Sequence, residues 1–156
     1  MNGDVRATIE SALTEGASHL EWLRDSAQHL NPMRPFTAQI LKTIQKDDVL
    51  HLDQFIYRFT KLQDSMARRL LPSVYVLLEA DTEPKPFLDV LNRLEQLRVI
   101  PSAAKWQQLR NLRNNLAHDY PENLQQTADT LNELLETWNE LEKIHAQARD
   151  AYRQRA

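Results

Sequence analysis

Apolar residues recur every three or four positions along almost the whole chain, and only two of its 156 residues are glycine. That periodicity is the repeat of an α-helix, and the scarcity of glycine argues for helices joined by short connections. With 42% hydrophobic residues the chain is long enough to close a core without staples. The expected fold is all-α, an up-down antiparallel helical bundle in a single domain spanning 1–156. Within it, 1–36 is an extra N-terminal helix with a Pro-bounded link, and 37–156 is the bundle core.

Taken in order, Val5, Ile9, Leu13, Ala17, Leu20, Leu23, Ala27 and Leu30 predict a helix over 4–30. Asn31-Pro32-Met33-Arg34-Pro35 breaks it. A shorter helix over 37–45 turns Ile40, Leu41 and Ile44 inward. Asp47 and Asp48 offer an N-cap for the longest element, 49–79. Its stripe is Leu52, Phe55, Phe59, Leu62, Met66, Leu70, Val74 and Leu77, and Pro72 within it should kink or loosen the helix. A loop over 81–86 leads to a short helix over 87–97. Val99 to Ser102 then turns the chain, and Pro101 or Ser102 starts the next helix. Pro121 suits the first turn of a final helix running to about Tyr152. Leu124, Leu131, Trp138 and His145 recur every seven residues there, the seam of an antiparallel bundle. Trp22, Trp106 and Trp138 fall among leucines at helical spacing and read as core rather than as a base-stacking platform.

Several function classes drop out. There is no G-x-x-x-x-G-K-S/T and no G-x-G-x-x-G, so no Gly-rich nucleotide loop. The absence of cysteine removes disulfides and thiolate metal sites, and fits a reducing, cytoplasmic setting. Residues 1–10 lack the basic start and apolar run of a signal peptide, and no apolar segment approaches the roughly 18 residues of a membrane span. Of the five histidines, His19 and His29 read as surface residues of the first helix. His51 lies in the first turn of the long helix, and His145 near the end of the last seam. None forms an H-E-x-x-H pair, so neither a metal site nor a cofactor is expected.

The stretch from Leu109 to Pro121 concentrates the chemistry. Leu109, Leu112 and Leu116 bury one side of a helix, and Arg113 flanks that stripe, where a charge needs a partner. Asp64 on the long helix, with Arg58 or Arg68 nearby, could supply an ion-pair network; Asp64 either orients a catalytic group or simply neutralises Arg113. His118 follows five positions later, roughly 140° around an ideal helix. Pro121 disfavours helical geometry at Tyr120, so the helix ends near 117–119. There His118 either swings back, meets an Arg113 from a second subunit, or only caps carbonyls. Net charge is −3, which gives no general attraction for nucleic acid. Yet between Glu95 and Asp119 the only charged residues are Arg98, Lys105, Arg110 and Arg113, whereas from Glu122 to Glu142 all are acidic. The basic strip could hold a polyanion, or the two helices could neutralise each other.

Arg113-Asn114-Asn115-Leu116-Ala117-His118-Asp119-Tyr120 resembles the R-x4-H-x-Y motif of HEPN-domain ribonucleases, in particular HepT-type toxins paired with MNT nucleotidyltransferase antitoxins. Asn114 fits that family's preference for a polar residue after the Arg. The resemblance implies a homodimer with the site in a cleft at its two-fold interface. It also implies metal-independent cleavage of RNA to a 2′,3′-cyclic phosphate and a free 5′-OH. His118 would act as the base and Arg113 as the cation that stabilises the phosphorane. Asn114 would orient phosphate or His118, with Arg110, Lys105 and Asp64 in support or contacting RNA. Tyr120 would receive AMP from the partner nucleotidyltransferase, closing the site by charge and bulk. The alternatives are a non-catalytic HEPN-like subunit that binds a nucleotidyltransferase or nucleotide, and a plain dimeric helical scaffold.

Overall fold

The computed structural model describes residues 2–155. It is all-helical, with α1 (Asn2–Leu30), α2 (Ala38–Lys42), α3 (Lys46–Ser65), α4 (Leu71–Glu79), α5 (Phe87–Gln96), α6 (Ala103–Asp119), α7 (Leu124–Thr137) and α8 (Asn139–Gln154). No helix among the described residues is long and apolar enough to cross a membrane.

The spine is a continuous rod from Lys46 to Glu79, roughly 50 Å long at about 1.5 Å per residue. Its stripe packs as expected, with Leu52, Phe55, Phe59, Leu62, Met66, Leu70 and Val74 buried and Leu77 only partly so. Pro72 leaves its mark just upstream of itself. Having no N–H and a ring that crowds the preceding turn, it cannot follow a regular α-turn, and Met66–Leu70 widens into a π-turn with Leu71 N–H donating to the Met66 carbonyl. The expected loosening is therefore a local widening, and the rod stays helical on both sides.

Helix α1 lies antiparallel along this rod: its C-terminal His29 meets Asp48, while Glu15 and Ser11 hold Arg69. Residues on both sides of position 36 contribute to one core, from Ile9, Leu23 and Leu30 to Leu91, Leu131 and Ile144. Helix α6 also runs antiparallel to α3, pairing Tyr120 with Asp53 and Arg113 with Asp64. Helix α8 closes against α1 through Tyr152 to Glu10 and Arg24 to Glu142.

Local starts and stops differ from the expectation in several places. Neither Asp47 nor Asp48 caps α3. Gln45 is the N-cap and makes no side-chain bond there, so the two aspartates sit in the first turn, where the helix dipole still favours them. Helix α2 is shorter than 37–45, with Thr37 capping Ile40 N–H. Pro121 does not start the last helix; the Tyr120-Pro121 turn precedes it and the Asn123 side chain caps α7 at Gln126 N–H. The long C-terminal helix is two helices, interrupted at Trp138. The seam holds in part across the interruption, with Ala128, Leu131, Leu135, Leu141 and His145 buried and Leu124 and Trp138 half-buried. Trp22, expected in the core, is 47% exposed at the edge of the α1–α3 contact, where the Arg58 guanidinium lies over its ring at 5.7 Å from the centroid. Ala17 is likewise outside the core, and Ala12, Gly16 and His19 are buried on α1 instead. Trp106 is buried and Trp138 half-buried.

Candidate active site

Helix α6 begins where the sequence puts it. Ser102 caps it by accepting from Lys105 N–H at 3.0 Å, and it ends at Asp119, with Tyr120 already extended before Pro121. Leu109, Leu112 and Leu116 are buried, which fixes the rotation of the helix and turns Arg113 toward α3. The Arg113 side chain retains only 16% exposure. Its Nη1 donates to Asp64 Oδ1 at 2.7 Å, and its Nη2 donates to Asn114 Oδ1 at 2.9 Å. Asn114 is thus turned to the guanidinium rather than to His118. Together the two acceptors hold the fork in one orientation, at the edge of solvent.

That guanidinium borders a cleft of about 480 Å³ between α3 and α6. Arg68 and Arg110 line it as well, against the single carboxylate of Asp64, while Phe87 and Trp106 make its apolar wall. A second depression shares Asp64 and Arg68 and extends the groove toward Lys61 and Arg69. Arg69 is neutralised by Glu15 at 2.6 Å. The basic strip read from α6 therefore has a counterpart on α3, although the chain as a whole is acidic. Gln63 is part of the cleft and buried; its Nε2 reaches the Trp106 carbonyl at 3.5 Å, and its Oε1 and the Trp106 indole N–H have no partner.

His118 is elsewhere. It is exposed and does not line the cleft that holds Arg113. Within one chain no hydrogen bond and no shared cleft links the two groups among the described residues. Lys105 is half-buried and also outside the cleft, whereas Arg110 is exposed and inside it. Arg58 takes no part in the Arg113 network. It reaches instead to His19 Nδ1 at 3.1 Å, and His19, expected on the surface, is buried between Arg58 and Glu15.

Tyr120 is half-buried, and its hydroxyl donates to Asp53 Oδ1 at 2.9 Å. Burial, reinforced by the Asp53 carboxylate, pushes its pKa up to about 12, so the phenol is neutral and its proton already faces a carboxylate. Asp53 and Gln63 escaped the sequence reading, whereas Arg68, named there beside Asp64, does line the cleft with Arg113. The signal for Asp53 was present: it lies eleven residues before Asp64, about three turns, and so shares its face of α3. Arg68, four residues after Asp64, lies one turn further along the same face.

Comparison of the chain with known protein families, with curated proteins and with solved structures finds no match.

Proposed function

We propose that the chain is a HepT-like toxin with an HEPN-like up-down bundle: a metal-independent endoribonuclease that acts on RNA as a homodimer. An MNT-type nucleotidyltransferase antitoxin neutralises it by AMPylating Tyr120. The observation that supports this most is the setting of Arg113, whose fork is held by Asp64 and Asn114 at the rim of an open groove shared with Arg68 and Arg110. Three guanidiniums against one carboxylate suit a phosphodiester backbone, and Arg is the side chain best shaped to follow the charge onto a phosphorane.

The reaction assigns His118 the proton of a ribose 2′-OH. The 2′-oxygen attacks the adjacent phosphorus, the bond to the 5′-oxygen breaks, and the leaving oxygen takes a proton from an imidazolium. The products are a 2′,3′-cyclic phosphate and a 5′-OH, and atoms balance without a further reactant. Because His118 does not line the Arg113 cleft of its own chain, the reading takes the histidine for that cleft from the second subunit. Transfer of AMP from ATP to the Tyr120 oxygen displaces pyrophosphate and leaves the phenolic proton with Asp53, which already accepts it.

RNA cleavage by purified Arg113→Ala and His118→Ala, with dimerisation and helicity checked alongside, tests the reading. Both should remain folded dimers that no longer cut RNA, and undiminished cleavage by both would refute it. A second reading is favoured by two observations, that the Arg113 fork is already engaged and that His118 does not line its cleft. It makes the chain a non-catalytic HEPN-like subunit that binds a nucleotidyltransferase or a nucleotide. Overexpression separates the two: growth arrest follows from the first and none from the second.

A further inference from the structure

His29 lies 18 residues before Asp47 in the sequence, and only Asp47 and His51, four residues apart, share a helix face. Folding places them together. His29 is in the last turn of α1, Asp47 in the first turn of α3 and His51 one turn further on. The antiparallel packing of those helices closes the gap across the intervening link. One donor atom from each residue lies within 4.8 Å of the other two. The imidazoles of His29 and His51 stack with centroids 3.7 Å apart and planes 8° from parallel. A second carboxylate, Asp48, has its Oδ1 2.8 Å from His29 Nε2.

We infer that this junction is a binding site for a divalent transition-metal ion of the zinc class. The converging donors are two imidazoles and the Asp47 carboxylate, with Asp48 beside His29, the nitrogen and oxygen mixture that borderline cations prefer and that Mg²⁺, which keeps to oxygen ligands, does not. Two carboxylates match the ion's charge when the rings are neutral. Asp48 serves either as a ligand or as the carboxylate that orients the His29 ring, the usual outer partner of a metal-bound histidine. His29 and His51 are half-buried and Asp47 is exposed, so an ion can enter from solvent and keep water in its remaining positions. Parallel rings do not aim their lone pairs at one point. Binding must tilt them apart by side-chain rotation, which their partial exposure permits. An ion held there would tie the end of α1 to the start of α3 across residues 31–45, linking metal occupancy to folding. The site is separate from the groove of Arg113 and does not rest on the ribonuclease reading.

Calorimetric titration of the untagged full-length chain with Zn²⁺ tests this, paired with thermal melts and with the visible spectrum of the Co²⁺-loaded protein. About one ion should bind per chain, Tm should rise with Zn²⁺ concentration but not with Mg²⁺, and Co²⁺ should give the ligand-field bands of a nitrogen-bound site. His29→Ala, His51→Ala and the surface substitution Asp47→Asn should each weaken binding at least tenfold, while His118→Ala binds as the wild type does. Absence of Zn²⁺ binding by the wild-type chain overturns the inference. So does Zn²⁺ binding that is undiminished in a folded Asp47→Asn chain and in whichever histidine variants fold.

Discussion

His118 and His145 are the same side chain in opposite settings. His118 stands exposed at the end of α6, two residues from a tyrosine whose proton is already committed to Asp53. His145 is 3% exposed and packed from α8 against Gly16 of α1, and its Nε2 has no hydrogen-bond partner. Burial, and then the nearby Arg149 guanidinium, push its pKa down to about 4. His145 is therefore locked as the neutral imidazole and fills space, much as an aromatic residue would. Only the exposed ring can exchange a proton with a substrate. Seven-residue spacing draws the eye to His145, but periodicity is what puts it out of reach of chemistry.

The largest effect should separate the two histidines by function. His118→Ala should lower RNA cleavage about 10²- to 10⁴-fold, the ordinary contribution of a general base, and leave the melting temperature nearly unchanged. Arg113→Ala should lose about as much. Co-expressing these two variants tests the assembly itself. If each site takes Arg113 from one chain and His118 from the other, a mixed dimer keeps one intact site, and a statistical mixture should recover about a quarter of wild-type activity. No recovery would mean that both residues must come from the same chain.

His145 should do the reverse, leaving cleavage alone and setting acid stability. Its folded pKa lies below the ordinary 6.5, so as pH falls the unfolded chain takes up the proton first. The associated stability is complete above about pH 6.5 and is lost as pH falls toward 4. The gap corresponds to roughly 3 kcal/mol. Urea unfolding followed across that pH window should show this slope, and His145→Leu should flatten it even if its own stability is lower. An unchanged slope in that variant would mean the buried imidazole is not the group responsible.

Much of this contrast was legible in the sequence, though unevenly. The leucines of α6 announced its buried side, hence the partial burial of Arg113, and Pro121 announced where the helix stops. The pairing of Arg113 with Asp64 followed from two long helices having to lie side by side. What periodicity lacks is the identity of the neighbouring surface. His19 and His145 both lie on helices that look amphipathic in isolation, and it is the packing of α3 and α8 against α1 that covers them. Trp22 went the other way, since an aromatic at helical spacing is buried only if some element arrives to cover that arc. Breaks in the helices were missed for a related reason. The interruption at Trp138 has no proline or glycine to mark it.

A smaller effect sharpens the closed half of the comparison. Gly16 is where α1 lets the His145 ring approach: a Cβ built there would overlap His145 Nε2. Gly16→Ala should gain about 1 kcal/mol in helix propensity but lose more to overpacking, typically about 1–3 kcal/mol. A net destabilisation of up to about 2 kcal/mol is expected by chemical denaturation. His145→Ala should relieve the overlap, so the two substitutions together should be less destabilising than the sum of each alone.

The smallest effect lies at the open end. Asn123 Oδ1 accepts from Gln126 N–H at 3.2 Å, and the Asn123 N–H donates to the Asp119 carbonyl at 2.7 Å. This residue both starts α7 and fastens the turn that follows His118. Asn123→Ala removes only the side-chain cap and should cost about 1 kcal/mol. If the exposed end of α6 carries the base, a loosened turn displaces His118, and cleavage should fall by more than global stability predicts at a temperature where the variant is still fully folded. If cleavage merely tracks the folded fraction, the turn is structural and His118 needs no help from it. The corresponding measurement on Gly16→Ala supplies the control, because that substitution disturbs the closed region and should leave cleavage per folded molecule untouched.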